Sequence, residues 1–272
     1  MPPGGGRLPG RPRDRGADPR DRLDRCVVAP GTVTPAGDEP YQTYFHLLVD
    51  VHRLLRPRTY LEVGVNEGHS LALVGPATRI VGVDPEPKVD GLDHPDWTVV
   101  PETSEAFFGR SDVPELLGGP LDLAFVDGLH LFEVALADVL AVERLAHPGT
   151  VVLVHDVLPI DAETSSRERS TAVWSGDVWK TVVLLRRHRP DLAVTTLDVG
   201  PTGMAVITGF AAGTAVPWGP DAAWVDTAVA ELLSADHGDL LAMGLEDALG
   251  MVPGTPTELS RLLPGGPVTG PA

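Results

Sequence analysis

Apolar residues fall along this chain in short unbroken runs, and between them lie longer stretches in which apolar positions recur at helical spacing. Tyr60–Val63 is one such run. It reads as a short buried strand that ends at Gly64, with Gly68 four residues later, and Ser70–Val74 then reads as the start of a helix. Arg79–Asp84, Trp97–Val100, Leu121–Asp127 and Gly149–Asp156 read as four further strands, and Leu192–Leu197 and Gly203–Ile207 as the last two. Helices are predicted between them. In Tyr41–Leu55, the residues Tyr44, Leu47, Leu48, Val51, Leu54 and Leu55 lie on one helical face, and Arg56-Pro57 ends the element. Thr103-Ser104-Glu105 opens a capped helix, Leu131–Leu145 is amphipathic, and Asp177 is placed to cap a helix running to His188. Strand alternating with helix predicts a doubly wound α/β sheet with helices on both faces.

The ends of the chain differ from this pattern. Residues 1–25 hold seven Arg and four Asp with almost nothing apolar, too little to bury and fold alone, so they are predicted to be a disordered tail. The globular domain is expected over 26–210. A helical extension is expected over 211–255, with helices at Ala222–Leu233 and Asp239–Leu249, and a flexible Pro/Gly-rich tail over 256–272.

Composition narrows the class. A net charge of −17 argues against nucleic acid as a partner, and no apolar run is long enough for a membrane span. Cys26 is the single cysteine, which excludes an internal disulfide framework, and the start of the chain lacks the apolar segment of a secretory signal. Together these predict a cytoplasmic protein. Lys88 and Lys180 are the two lysines among 21 basic residues.

The turn after the first strand carries the candidate chemistry. Its spacing is G-x-x-x-G, without the G-x-G-x-x-G of dinucleotide folds or the Lys of a phosphate loop. Glu62 before the turn and Glu67 within it suit a ligand with cationic or hydroxyl groups better than a polyphosphate. Asp84 ends the next strand, where a carboxylate can accept hydrogen bonds from both hydroxyls of a ribose.

At these residues the chain resembles the class I S-adenosylmethionine (SAM)-dependent methyltransferases. Glu62-Val63-Gly64-Val65-Asn66-Glu67-Gly68 looks like their first motif and Val81-Gly82-Val83-Asp84 like their second. The resemblance covers about 41–208 and implies a Rossmann-like seven-stranded sheet closed by an antiparallel pair. It implies a SAM site built from Glu62, Gly64, Asn66, Gly68, Ser70, Asp84 and Asp127, with Thr103 and Ser104 at the adenine; a plain helix cap is the other reading of Thr103 and Ser104. It also implies that the fourth strand lies beside the first, with its end facing the reacting methyl group. Tyr41 and Tyr44 would cover the cofactor or pack in the core.

Asp127, His130, His155 and Asp156 then converge at two neighbouring strand ends. Asp127-Gly128-Leu129-His130 and His155-Asp156 resemble a subfamily found beside sugar and natural-product pathways, some members of which bind magnesium through carboxylates at these ends. Asp127, Asp156 and His155 are thus candidate ligands for Mg2+, and Asp127 and His130 candidate catalytic residues. Metal-dependent relatives carry Asp-Asn or Asp-Asp at the fifth strand, whereas Val157 follows Asp156 here, so His155 or His130 would replace the absent ligand. Pro159–Ser175 is a candidate lid, and Trp174 and Trp179 a candidate substrate wall. Lys180 would hold an acidic substrate group, assist deprotonation, or pair with Asp177. The expected reaction is O-methylation of a small molecule, since no Asn/Asp-Pro-Pro-Tyr-like motif of amino-group methylation follows the fourth strand. A nicotinamide-dependent oxidoreductase and a non-catalytic binding protein of the same fold are the alternatives. The first lacks G-x-G-x-x-G and Tyr-x-x-x-Lys. A homo-oligomer through the C-terminal helices is a further expectation.

Overall fold

The structure, a computed structural model, describes residues 37–89, 94–211 and 223–265. The expected N-terminal tail and the last seven residues of the expected C-terminal tail lie outside them. Strands β1 (Thr59–Val63), β2 (Arg79–Val83), β3 (Trp97–Val100), β4 (Leu121–Val126), β5 (Ala146–His155), β6 (Ala193–Asp198), β7 (Met204–Thr208) and β8 (Met251–Pro253) form one sheet in the order β3-β2-β1-β4-β5-β7-β6-β8. The first five strands are parallel, and β7 pairs antiparallel with both β5 and β6. The chain order reverses between β1 and β4, so their carboxyl ends flank the crevice in which such sheets bind ligands.

Alternation along the strands sorts the core into two faces. Tyr60, Ile80, Leu123, Phe125, Val151 and Leu153 lie on one, under helix α1 (Tyr44–Leu55), whose Leu47, Leu48 and Val51 are fully buried. Leu61, Val81, Ala124, Val126, Val152 and Val154 lie on the other, with α4 (Phe132–Glu143) and α5 (Trp179–His188). Burial on both sides explains why the central strands read as continuous apolar runs. Two short helices, α2 (Ser104–Phe108) and α3 (Val113–Leu117), link β3 to β4.

Three expectations need correction. The segment after Gly68 forms only a single 3-10 turn, Leu71–Leu73, because Gly75-Pro76 follows at once and stops the helix. The sheet has eight strands, not seven. β8 pairs parallel with β6, and it is too short, and too near Pro253, to show a period in sequence. The C-terminal extension packs on the core, and part of the expected flexible tail is helical. Helices α6 (Ala223–Leu232), α7 (His237–Met243) and α8 (Leu245–Leu249) place Ala228, Leu232, Leu240 and Leu249 in the core beside α5. Helix α9 (Pro256–Leu262) occupies part of the expected flexible tail, capped by Thr255, and buries Leu259 with the α1 cluster. Its signal in sequence is Thr255-Pro256-x-Glu258, a cap followed by proline at the first helical position. Among the described residues no helix is long and apolar enough to cross a membrane.

Candidate active site

The site begins where β1 and β4 end side by side. The Asp127 amide donates to the Val63 carbonyl at 2.8 Å, and the Gly64 amide donates to the Val83 carbonyl at 2.8 Å. Gly64 adopts φ +91°, and a Cβ there would lie 2.0 Å from the Asp127 carbonyl oxygen. Only glycine lets the turn leave β1 against the end of β4. Asn66 (φ +45°) and Gly68 (φ +73°) continue the left-handed turn.

Asp84 fixes the turn from the neighbouring strand. Its Oδ2 accepts from the Asn66 amide at 2.8 Å and its Oδ1 from the Glu86 amide at 2.7 Å. Each carboxylate oxygen can accept twice, so this side chain retains capacity for two ligand hydroxyls.

Glu62 and Ser70 lie beneath the turn. Glu62 is fully buried, with Oε1 accepting from the Ser70 hydroxyl at 2.5 Å and Oε2 from the Tyr60 hydroxyl at 2.6 Å, and burial pushes its carboxyl up to about 8. The pair therefore braces the turn from inside instead of presenting a free carboxylate. Thr103 caps α2, its Oγ1 accepting from the Ala106 amide at 3.3 Å, and Ser104 hydrogen-bonds Asp138, whose carboxyl burial pushes up to about 7.

Across the turn the four ionisable groups come together. His155 Nδ1 lies 3.2 Å from Asp127 Oδ1 and 3.4 Å from Asp156 Oδ2. His130 Nε2 lies 3.1 Å from Asp156 Oδ2 and 3.6 Å from Asp127 Oδ1. Burial opposes ionisation of Asp127, yet the His155 charge and hydrogen bonds from both imidazoles hold it well below the usual carboxylate range. Burial would lower both imidazoles; the Asp156 and Asp127 charges instead push His155 up to about 10, and a hydrogen bond to Asp127 with the same charges raises His130. One oxygen each of Asp127 and Asp156 and a ring nitrogen of His130 all lie within 4.8 Å of one another, so His130 rather than His155 completes the candidate metal set. Asp156 reaches this position with φ +62°, a conformation that carries strain for a residue with a side chain.

Helix α1 and the loop after β5 close the cluster. The Tyr44 ring packs on His155, centroids 4.1 Å apart. Burial and the Asp127, Asp156 and Glu62 charges raise its hydroxyl pKa. The segment Pro159–Ser175 is anchored rather than loose. Arg167 pairs with Glu133 and Asp177, and Trp174 donates from Nε1 to the Ser166 carbonyl at 2.6 Å. The Trp174 ring stacks on His130 at 4.9 Å, and its carbonyl accepts from His130 Nδ1 at 2.6 Å. A carbonyl only accepts, so His130 Nδ1 carries a hydrogen in either charge state, and Nε2 faces the carboxylates. Tyr44 and Trp174 thus belong to the site. The sequence offers Tyr44 as a cover or as core and Trp174 as a substrate wall, and the packing of α1 and the loop over the strand ends sets them against His155 and His130.

Three expected side chains go elsewhere. Lys180 is buried and bonded to Asp177 Oδ2 at 3.0 Å and to the Leu233 carbonyl at 3.3 Å, with its ammonium over the rings of Phe132 and Trp179. Of its sequence readings, pairing with Asp177 is what the geometry gives, and Trp179 is core rather than substrate wall. Asp177 does not cap its own helix. Its Oδ1 accepts from the Phe132 amide at 3.0 Å and so caps α4.

Residues 61–157 match the family model described as a methyltransferase domain. That span runs from β1 past the end of β5 and contains Gly64, Gly68, Asp84, Asp127, His130, His155 and Asp156. No curated protein matches the chain. Among solved structures, the chain is similar to the cofactor-bound Rv0187 from MTB, at 22% identity and a TM-score of 0.49, covering 73% of this chain and 93% of that one. It is similar to the O-methyltransferase TomG from Streptomyces achromogenes, involved in tomaymycin synthesis and solved with SAM, at 22% identity and a TM-score of 0.47, covering 61% and 79%. The O-methyltransferase from Bacillus cereus solved with SAH is 16% identical with a TM-score of 0.47, covering 69% and 87%.

Proposed function

We propose that this chain is a SAM-dependent methyltransferase acting on a hydroxyl oxygen of a small molecule, in the modification of a natural product or sugar. The observation that carries the reading is the direct junction of two half-sites, in which Asp84 is bonded to the Asn66 amide on one side of Gly64 and Asp127 touches Gly64 on the other. The match of residues 61–157 to a methyltransferase-domain model supports it.

SAM fits the first half-site. The turn Gly64–Gly68 would receive its amino-acid end, Asp84 its ribose hydroxyls, and the α2 start at Thr103 and Ser104 would lie toward its adenine. Glu62 and Ser70 hold the turn from below. When bound, SAM supplies a methyl group on a sulfonium, which an in-line oxygen attacks. The chain's own part is to aim that oxygen and draw off its proton. Asp127 and His130 stand where the acceptor must sit, with Tyr44 and Trp174 as walls that exclude water. Asp127 and Asp156 would also hold a divalent cation such as Mg2+, whose charge acidifies a hydroxyl. Lys180 is assigned to the packing of α5.

The low cysteine count and acidic charge support a cytoplasmic protein without a nucleic-acid partner. Leu233 and Leu241, exposed near the C-terminal helices, are the side chains a homo-oligomer would use.

Calorimetric titration with SAM and S-adenosylhomocysteine, with and without magnesium, tests the proposal. Micromolar binding of both is the expected result. Absence of binding to either compound overturns it.

A further inference from the structure

We infer that Asp127, His130 and Asp156 form a cation site with one nitrogen ligand, His130 Nε2, and that this site selects a first-row transition ion of the manganese-to-zinc group over magnesium. The inference rests on reading the cluster as the acceptor side of the methyl-transfer site, and it assigns His130 to the ion rather than to the proton.

Three features of the geometry carry it. The first is spacing. Ligand atoms about 2.0–2.2 Å from one ion lie no more than roughly 4.4 Å apart. His130 Nε2 meets this limit with both carboxylates, at 3.1 Å from Asp156 Oδ2 and 3.6 Å from Asp127 Oδ1, and all three ligand atoms lie within 4.8 Å of one another.

The second is the shell behind the ligands. A metal-binding imidazole donates its other N–H to a carbonyl or carboxylate, which fixes the tautomer and aims the ring. His130 has this partner in the Trp174 carbonyl at 2.6 Å, with the Trp174 indole stacked against the ring. The arrangement depends on Gly176 at φ +55°, where a Cβ would lie 1.9 Å from the His130 carbonyl oxygen, and on the indole's bond to Ser166. His155 Nδ1 in turn bonds Asp127 at 3.2 Å and so orients that carboxylate.

The third is the chemistry of the donors. Val157 follows Asp156, so the fifth strand end offers no second oxygen side chain in sequence, and an imidazole fills that place. Magnesium keeps to oxygen and water, whereas imidazole suits iron, nickel, copper and zinc, with manganese at the weak end of the same first-row series.

The test is pulsed EPR of the full-length protein loaded with Mn2+ in the absence of SAM, alongside Mn2+ and Mg2+ affinities by competition. The expected result is a nitrogen hyperfine coupling that changes when histidine is labelled with nitrogen-15, with Mn2+ bound roughly tenfold or more tighter than Mg2+. H130Q should remove the coupling and weaken Mn2+ roughly 10- to 100-fold. Mn2+ bound without nitrogen coupling overturns the inference, as do equal affinities for the two ions or a coupling that survives H130Q. The wild-type labelling experiment stands even if the variant fails to fold. Because no SAM is present, failure here is distinct from failure of the SAM titration, which bears on methyl transfer alone.

Discussion

Gly64 and Asp127 are in backbone contact: a Cβ on Gly64 would lie 2.0 Å from the Asp127 carbonyl oxygen. The turn after β1 and the carboxylate–imidazole cluster after β4, the two halves of the proposed site, are therefore fixed together where β1 and β4 emerge side by side. G64A meets two penalties at once, a left-handed φ of +91° and a collision with backbone that has no freedom to move. It should destabilise the fold by more than about 2 kcal/mol in thermal unfolding and disturb both half-sites. G75A is the control, since nothing lies within 4 Å of a Cβ there, and it should be close to neutral. Equal melting temperatures for the two variants would contradict the close approach.

Asp84 holds the turn with two amide bonds and, in the proposed function, also holds the ribose. D84A should weaken SAM roughly 10- to 100-fold, the worth of one or two hydrogen bonds to a charged group. Calorimetry reads this directly. An unchanged dissociation constant would remove Asp84 from the ligand site.

D127A separates binding from turnover. The carboxylate faces His130 and His155 across the turn, away from the Asn66–Asp84 contact. SAM affinity should stay within a few-fold of wild type, while turnover falls about 100-fold or more, the share of a positioned proton acceptor or cation ligand. Parallel losses in binding and turnover would instead place Asp127 against the cofactor alone.

These expectations were largely legible in the chain because parallel strands carry strong local signals. Tyr60–Val63, Leu121–Val126 and Val151–Val154 are mostly apolar and buried on both faces, and each is followed by the glycine or polar residue of the candidate site. What the chain hid depends on packing between distant segments. The chain leaves Tyr44 open between cofactor cover and core packing, and only α1 set over β5 puts its ring on His155. The chain offers the Lys180–Asp177 pair as one of three readings of Lys180, and its burial and its bond to the Leu233 carbonyl, 53 residues away, decide among them. The three residues of β8 carry no period at all and form a strand only because the edge of β6 is there to pair with.

K180M addresses that hidden role. Lys180 and Asp177 form a buried pair, and removing one partner of such a pair costs about 3–5 kcal/mol, lessened here because Arg167 also pairs with Asp177. The variant should unfold at lower temperature and lower denaturant while its SAM affinity is unchanged. A folded variant of wild-type stability that fails to turn over would return Lys180 to the active site.

His52 sets an acid limit on the fold. Its ring is buried edge-on to Tyr60 at 4.9 Å, and neither nitrogen has a hydrogen-bond partner. Burial lowers its pKa from 6.5 to about 4. The unfolded chain therefore takes up a proton near 6.5 that the folded chain refuses until about 4. Stability contributed by the neutral ring is intact above 6.5 and is lost as the pH falls from 6.5 toward 4. The full loss is about 3 kcal/mol at 1.36 kcal/mol per unit. H52L keeps an apolar group beside Tyr60 and removes the titration, so its unfolding free energy should fall less steeply than wild type across that window. Urea titrations at several pH values measure the slope, and identical slopes in the two proteins would show that His52 protonates as readily folded as unfolded.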